Sequence, residues 1–113
     1  MANPRDRAEY LIYRYVDGMF IQMRLLASPD LALAMNLPAH SLSRNDLEAL
    51  LFDLFDRCKL VAKTRERGFF TPSASEIAAA LDELRRSEPE TFYGLTSGAL
   101  PRYRELSGEY WCP

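Results

Sequence analysis

Residues with versatile side-chain chemistry are scarce in this chain. It has two cysteines, one histidine, one tryptophan and five glycines in 113 residues. A structural zinc site usually takes four Cys or His ligands, and Cys58, Cys112 and His40 make only three. Neither cysteine belongs to a Cys-x-x-Cys pair. Both are expected as free thiols, Cys58 packed on a helix and Cys112 in the terminal tail. His40 lies between Pro38 and Ser41 and reads as a solvated loop residue rather than a general base. There is no Gly-x-Ser-x-Gly nucleophile turn and no Gly-rich phosphate loop. No apolar run approaches the ~20 residues that span a bilayer, and the opening Met1-Ala2-Asn3-Pro4-Arg5-Asp6 has no hydrophobic leader segment. The expectation is therefore a cytoplasmic, non-catalytic chain without cofactor, metal or membrane span.

Neither sign of charge dominates. Fourteen Lys and Arg against 16 Asp and Glu leave −2, which excludes a broadly basic nucleic-acid coat. Apolar and aromatic surface is what the chain does have: 48% of residues are hydrophobic, with six Tyr, six Phe and one Trp. A chain of this length buries roughly two thirds of its extended surface, enough for one real core. No internal repeat or long linker divides it, so residues 1–113 read as a single domain.

Periodicity predicts a helix over 6–27, with Ile12, Val16, Met19, Met23 and Leu26 on one face. Tyr10, Tyr13, Asp17 and Phe20 form a second stripe. Asp17-Gly18, between runs rich in Tyr, Ile, Val and Phe, offers a competing hairpin, and a helix kinked at Gly18 suits the apolar doublets better. A short helix over 30–37 carries Leu31, Ala34 and Met35 and closes at Pro38. Ser43 and Asp46 then have the spacing that caps a helix over 44–58, with Leu47, Leu50, Leu51, Leu54, Phe55 and Cys58 as its core stripe. Alternation over 60–66 predicts a strand, Gly68 a turn, and Phe69-Phe70 either the start of a return strand or a cap on the core. Ser73 and Glu76 cap another helix whose buried side is Ile77, Leu81 and Leu84, ended by Ser87-Glu88-Pro89-Glu90. Residues 91–95 predict a strand, and Thr96 or Ser97 caps a last helix carrying Leu100, Tyr103 and Leu106. Residues 108–113 read as a tail with Trp111 folded back.

The fold class expected is α+β, mostly helical, with a small two- or three-stranded antiparallel sheet. Two segments point further. Leu51-Phe52-Asp53-Leu54-Phe55-Asp56-Arg57-Cys58-Lys59-Leu60-Val61 resembles the "L-x-x-L-x-x-x-G-L-V" passage from third helix to first wing strand in bacterial regulators of the MarR and PadR kind. Phe92-Tyr93-Gly94-Leu95-Thr96-Ser97-Gly98 resembles their "Y-x-L-T-x-x-G" ending. Cys58 stands where glycine is common, and Gly98 follows Thr96 one residue early. The order of elements over 6–107 thus resembles a winged helix-turn-helix domain with a helical insertion, 71–90, in its wing.

That resemblance implies a homodimer and a recognition helix at 44–58, with Arg44 and Asn45 reading bases and Lys63, Arg65 and Arg67 of the wing, 57–67, touching phosphates. Segment charge opposes it. Residues 30–56 hold five carboxylates against Arg44 alone, a balance of −4, while 57–71 hold five cations against Glu66, a balance of +4. Complementary segments of this kind suit protein contacts. The leading expectation is a module acting through protein partners, including a second copy of itself. Its contact residues would be Tyr10, Tyr13, Phe20 and Phe52, since aromatics are enriched at interface centres. For the first-helix aromatics, packing under the C-terminal helix is the alternative. DNA binding through Arg44, Asn45, Lys63, Arg65 and Arg67 is the second functional reading.

Overall fold

The computed structural model describes residues 4–18, 20–27, 36, 39–83 and 91–110. The expected helix at 30–37, Asn36 excepted, lies outside them, as do Met19, Leu84, the acidic stretch 87–90, Trp111 and Cys112. The elements described are α1 (Pro4–Val16), α2 (Met23–Ala27), α3 (Arg44–Asp56), β1 (Leu60–Thr64), β2 (Gly68–Phe70), α4 (Ala74–Asp82), β3 (Phe92–Leu95), a 3-10 turn (Ser97–Ala99) and α5 (Leu100–Tyr110). The α+β expectation holds. Its sheet is antiparallel with strand order β2-β1-β3.

The single helix expected over 6–27 is two helices. Gly18 adopts a left-handed φ of 78°, a conformation that costs glycine little and ends α1. Beyond it Ile21 is extended and pairs with Tyr93, donating its N–H at 2.9 Å and accepting one at 2.7 Å. The Asp17-Gly18 signal marks the turn that ends α1, and it leads into a single bridge and not a hairpin. Both stripes of α1 are buried: Ala8, Leu11, Ile12, Tyr15 and Val16 on one side, Tyr10 and Tyr13 on the other. The helix is central, covered by α5 on its tyrosine side.

Helix α3 begins as its cap predicts, with Ser43 Oγ accepting the Asp46 N–H at 3.2 Å. Leu47, Leu50, Leu51, Leu54 and Phe55 are buried. Cys58 leaves this stripe: it is exposed, with a φ of 57°. The Cys58 N–H reaches the Phe55 carbonyl at 3.0 Å and the Lys59 N–H reaches Leu54 at 2.8 Å. Those two bonds make the Schellman ending, whose left-handed residue is usually glycine. A side chain there costs about 1 kcal/mol.

Residues Leu60 and Ala62 of β1 point into the core, while Val61 and Lys63 point out. The strand ends at Thr64, short of the expected 66, because the Thr64 hydroxyl accepts the Arg67 N–H at 2.9 Å and closes the turn to β2. Helix α4 carries the full reciprocal cap: Ser73 accepts the Glu76 N–H and Glu76 accepts the Ser73 N–H. Its Ile77 and Leu81 are buried, and it packs on α3 and α2. Helix α5 continues to Tyr110, through part of the expected tail. One contiguous core joins α1, α2, α3, α4, α5 and the inner face of the sheet, where the Phe55 and Tyr93 rings stand 5.6 Å apart.

Candidate interaction face

The alternation that buries Leu60 and Ala62 necessarily turns Val61 and Lys63 to the opposite face of the sheet. The register sets Lys63 directly opposite Phe69 on β2 and Phe92 on β3, and sets Val61 opposite Gly94. The outer face is therefore an aromatic surface centred on one ammonium group. A third ring comes from outside the strands. The Ile21–Tyr93 bridge carries Phe20 across β3, where its ring atoms lie 2.5 to 2.8 Å from the position a Cβ on Gly94 would take. Glycine at 94 is thus a requirement of close approach, and any side chain there would lift the ring away.

The Phe20 and Phe69 rings meet at 5.8 Å, tilted by 45°. Lys63 Nζ lies 5.8 Å from the Phe20 centroid and 5.1 Å from that of Phe69. Each such cation–ring contact is worth about 0.5–1 kcal/mol in water, enough to hold the side chain across the face. Phe20, Phe69 and Phe92 remain 41%, 63% and 39% exposed. Phe20 also lines a groove of about 260 Å³ with Val16, Gly18, Leu95, Thr96, Ser97 and Leu100. Leu100 is exposed as well, so four of the five large apolar side chains exposed among the described residues gather on this side of the molecule.

The other predicted residues divide. Tyr10 and Tyr13 are core, 3% and 0% exposed, and their expected role as contact residues is corrected by their packing under Tyr103 of α5. The Tyr13 hydroxyl donates to Glu9 at 2.6 Å; burial first, and then Glu9, push its pKa far up. Phe52 is exposed on α3, outside the buried stripe of that helix. Arg44 is engaged by Glu48 at 3.1 Å, by Asp82, and by the Ala78 carbonyl at 3.2 Å. Arg67 stacks 3.7 Å over the Phe70 ring and pairs with Glu76 at 2.7 Å. The two arginines thereby pin α4 at its opposite ends. The Ser73 N–H and then Arg67 hold the Glu76 carboxyl below its usual pKa. Asn45 and Arg65 are exposed.

His40 corrects another expectation. It is 5% exposed, with Nδ1 accepting the Leu42 N–H at 3.1 Å and its ring 6.5 Å from that of Tyr15. Nε2 has no hydrogen-bond partner among the described residues, and burial lowers the pKa of the imidazole. Among the described residues no three His, Cys, Asp or Glu side chains form a metal-binding group, and no helix is long and apolar enough to cross a membrane.

Sequence reasoning found Phe20 and Lys63 and missed Phe69, Phe92, Leu100 and Gly94. The outward phase of Lys63 in the 60–64 alternation was the available signal. Extending it to Phe69 and Phe92 needed the strand register. Comparison with family models, curated proteins and solved structures gave no match.

Proposed function

We propose that this chain is a non-catalytic module of winged-helix type that acts through protein contacts, self-association included, made by the outer face of its sheet. The observation that carries this reading is the gathering of Phe20, Phe69, Phe92 and Leu100 around Lys63 and the adjoining groove. Exposed apolar patches of this kind mark interaction sites, and aromatic residues supply much of the affinity at such sites. The winged-helix assignment is supported by the element order and by the meeting of its two motif segments. The Thr96 hydroxyl donates to the Cys58 carbonyl, and the Thr96 N–H to that of Lys59 at 3.1 Å. Cys58 has the left-handed backbone that glycine supplies in the pattern.

Docking on duplex DNA has less support. Arg44 and Arg67, two of its five candidate contacts, are spent on α4, and Lys63 lies against two rings. The helix that would enter the groove presents Asp46, Glu48, Asp53 and Asp56, which repel phosphates.

Light-scattering mass on a sizing column tests the reading, using wild type and a Phe69→Ser/Phe92→Ser variant with and without duplex DNA at low salt. The expected result is a wild-type mass above monomer that rises with concentration, a monomeric variant of unchanged melting temperature, and no co-elution with DNA. An assembly indifferent to both substitutions overturns the reading. So does salt-sensitive co-elution with duplex DNA that Arg65→Ala or Asn45→Ala abolishes.

A further inference from the structure

We propose that the outer sheet face receives a second copy of this chain head to tail, its ligand being the acidic outward stripe of α3 around Phe52. The proposal rests on the sheet-face reading above and names the occupant of that face.

Asn45, Ala49, Phe52 and Asp56 recur at i, i+4, i+7 and i+11 and are all exposed, forming one line along α3. Phe52, 44% exposed, is the large apolar side chain that the sheet face does not account for among the described residues. Carboxylates surround it. Asp53 is engaged by Arg5 and Arg57, whereas Asp46 and Asp56 form no ion pair among the described residues. Asp56 also closes the last turn of α3, where no basic residue is present and where the carbonyl end of a helix disfavours negative charge. A cation arriving from outside would remove that conflict.

The sheet face carries the complement. Lys63 is surrounded by rings, and Arg65, exposed at the tip of the β1–β2 turn, has no carboxylate partner among the described residues. Its rings offer Phe52 an aromatic surface, and the groove beside Phe20 offers a recess. Symmetric alternatives fare worse. Two sheet faces brought together on a twofold axis oppose cations to cations, and two α3 stripes oppose Asp to Asp; like charges in an interface cost several kcal/mol. Only the crossed pairing buries both apolar patches and joins opposite charges.

The two surfaces also belong to elements on different sides of the sheet. Phe55 of α3 packs on Tyr93 from the inner side of the sheet, so the sheet itself stands between α3 and the outer face. One chain cannot satisfy both surfaces by itself. The contact is heterologous, and each added copy leaves one surface of each kind for the next.

Two single variants test the proposal, and both residues are exposed enough to change without loss of fold: Phe52→Lys removes the stripe's ring and sets a cation among its carboxylates, and Phe69→Asp removes a ring of the sheet face and sets a carboxylate opposite Lys63. Sedimentation of wild type should show assembly that grows with concentration and weakens with salt. Each variant alone should associate about tenfold or more weakly. Mixed in equal amounts they should form a heterodimer of twice the chain mass, because the intact sheet face of Phe52→Lys can take the intact stripe of Phe69→Asp. Circular dichroism and melting confirm that both are folded. A mixture that stays monomeric overturns the proposal, as does a wild type monomeric at every concentration. Assembly lost in Phe69→Asp and kept in Phe52→Lys overturns the head-to-tail pairing alone and leaves the sheet face as a contact surface.

Discussion

Two regions of this molecule combine aromatic rings with cations, and they do opposite things. Between α1 and α5 the rings are tyrosines, and every hydroxyl has a partner in the chain. Tyr13 donates to Glu9, Tyr103 donates to Asp17 at 3.0 Å, and Tyr10 accepts from Arg14 at 3.1 Å. Glu9 lies at the centre, 4% exposed, also held by Arg102 at 3.3 Å and Arg5 at 3.6 Å. On the outer sheet face the rings are phenylalanines, with no polar end to satisfy, and they stay in water. The difference teaches that ring content does not identify an interface. A polar handle that finds a partner inside the chain marks a seam; a ring without one, held at the surface by its register, marks a face.

Truncation breaks the comparison most sharply. Tyr13→Ala should cost about 3–5 kcal/mol, the range for a fully buried aromatic, while Phe69→Ala should stay within about 0.5 kcal/mol. Urea unfolding of the two variants measures both, and similar midpoints would refute the distinction. Arg102→Met comes next, with an expected loss of about 2 kcal/mol. It leaves Glu9 buried with fewer partners, but Tyr13 and Arg5 remain, and Arg102 already keeps part of its surface in water. Denaturant midpoints of Arg102→Met and of the control Arg104→Met should differ; equal midpoints would show that the cluster contributes nothing.

Acid gives the smallest and most selective effect. The imidazole of His40 titrates lower in the folded chain than its usual 6.5, so the unfolded chain binds the proton more readily. Stability from this group is complete above about pH 6.5 and declines as pH falls toward the depressed folded value. Melting between pH 7.5 and 5.5 should show that decline in wild type and a flatter profile in His40→Gln. His40 lies in the core and not on the sheet face, so association should outlast the drop in melting temperature.

Local features of this chain were legible in its sequence wherever the relevant partners were neighbours. Ser43 with Asp46, Ser73 with Glu76, the leucine stripe of α3 and the alternation of β1 each involve residues a few positions apart. The misreadings share a different cause. Cys58 slipped out of its stripe because a Schellman ending breaks the helical period at its last residue. From sequence His40 reads as solvated, because the surroundings that bury it, Tyr15 and the end of α2, are not its sequence neighbours. Arg44 looked available because its partner Asp82 belongs to α4, and the insertion was visible only as a helix without an address. Periodicity gives each element its faces. It does not say what covers them, which is why Tyr10 and Phe20, on one predicted stripe, ended on opposite sides of the surface.

Phe20 and Ile21 are adjacent, yet one is the edge of the exposed patch and the other a buried partner of Tyr93. The patch is therefore templated from within: Phe20 reaches Gly94 only while the Ile21 bridge is closed. Opening that bridge would take Phe20 from the patch while the β1 register keeps Phe69 and Phe92 in place, so any occupant that touches Phe20 would be thermodynamically linked to closure of the bridge. Such an occupant should slow hydrogen exchange at the Ile21 and Tyr93 amides, which would make the interior of the sheet the recorder of what happens on its outside.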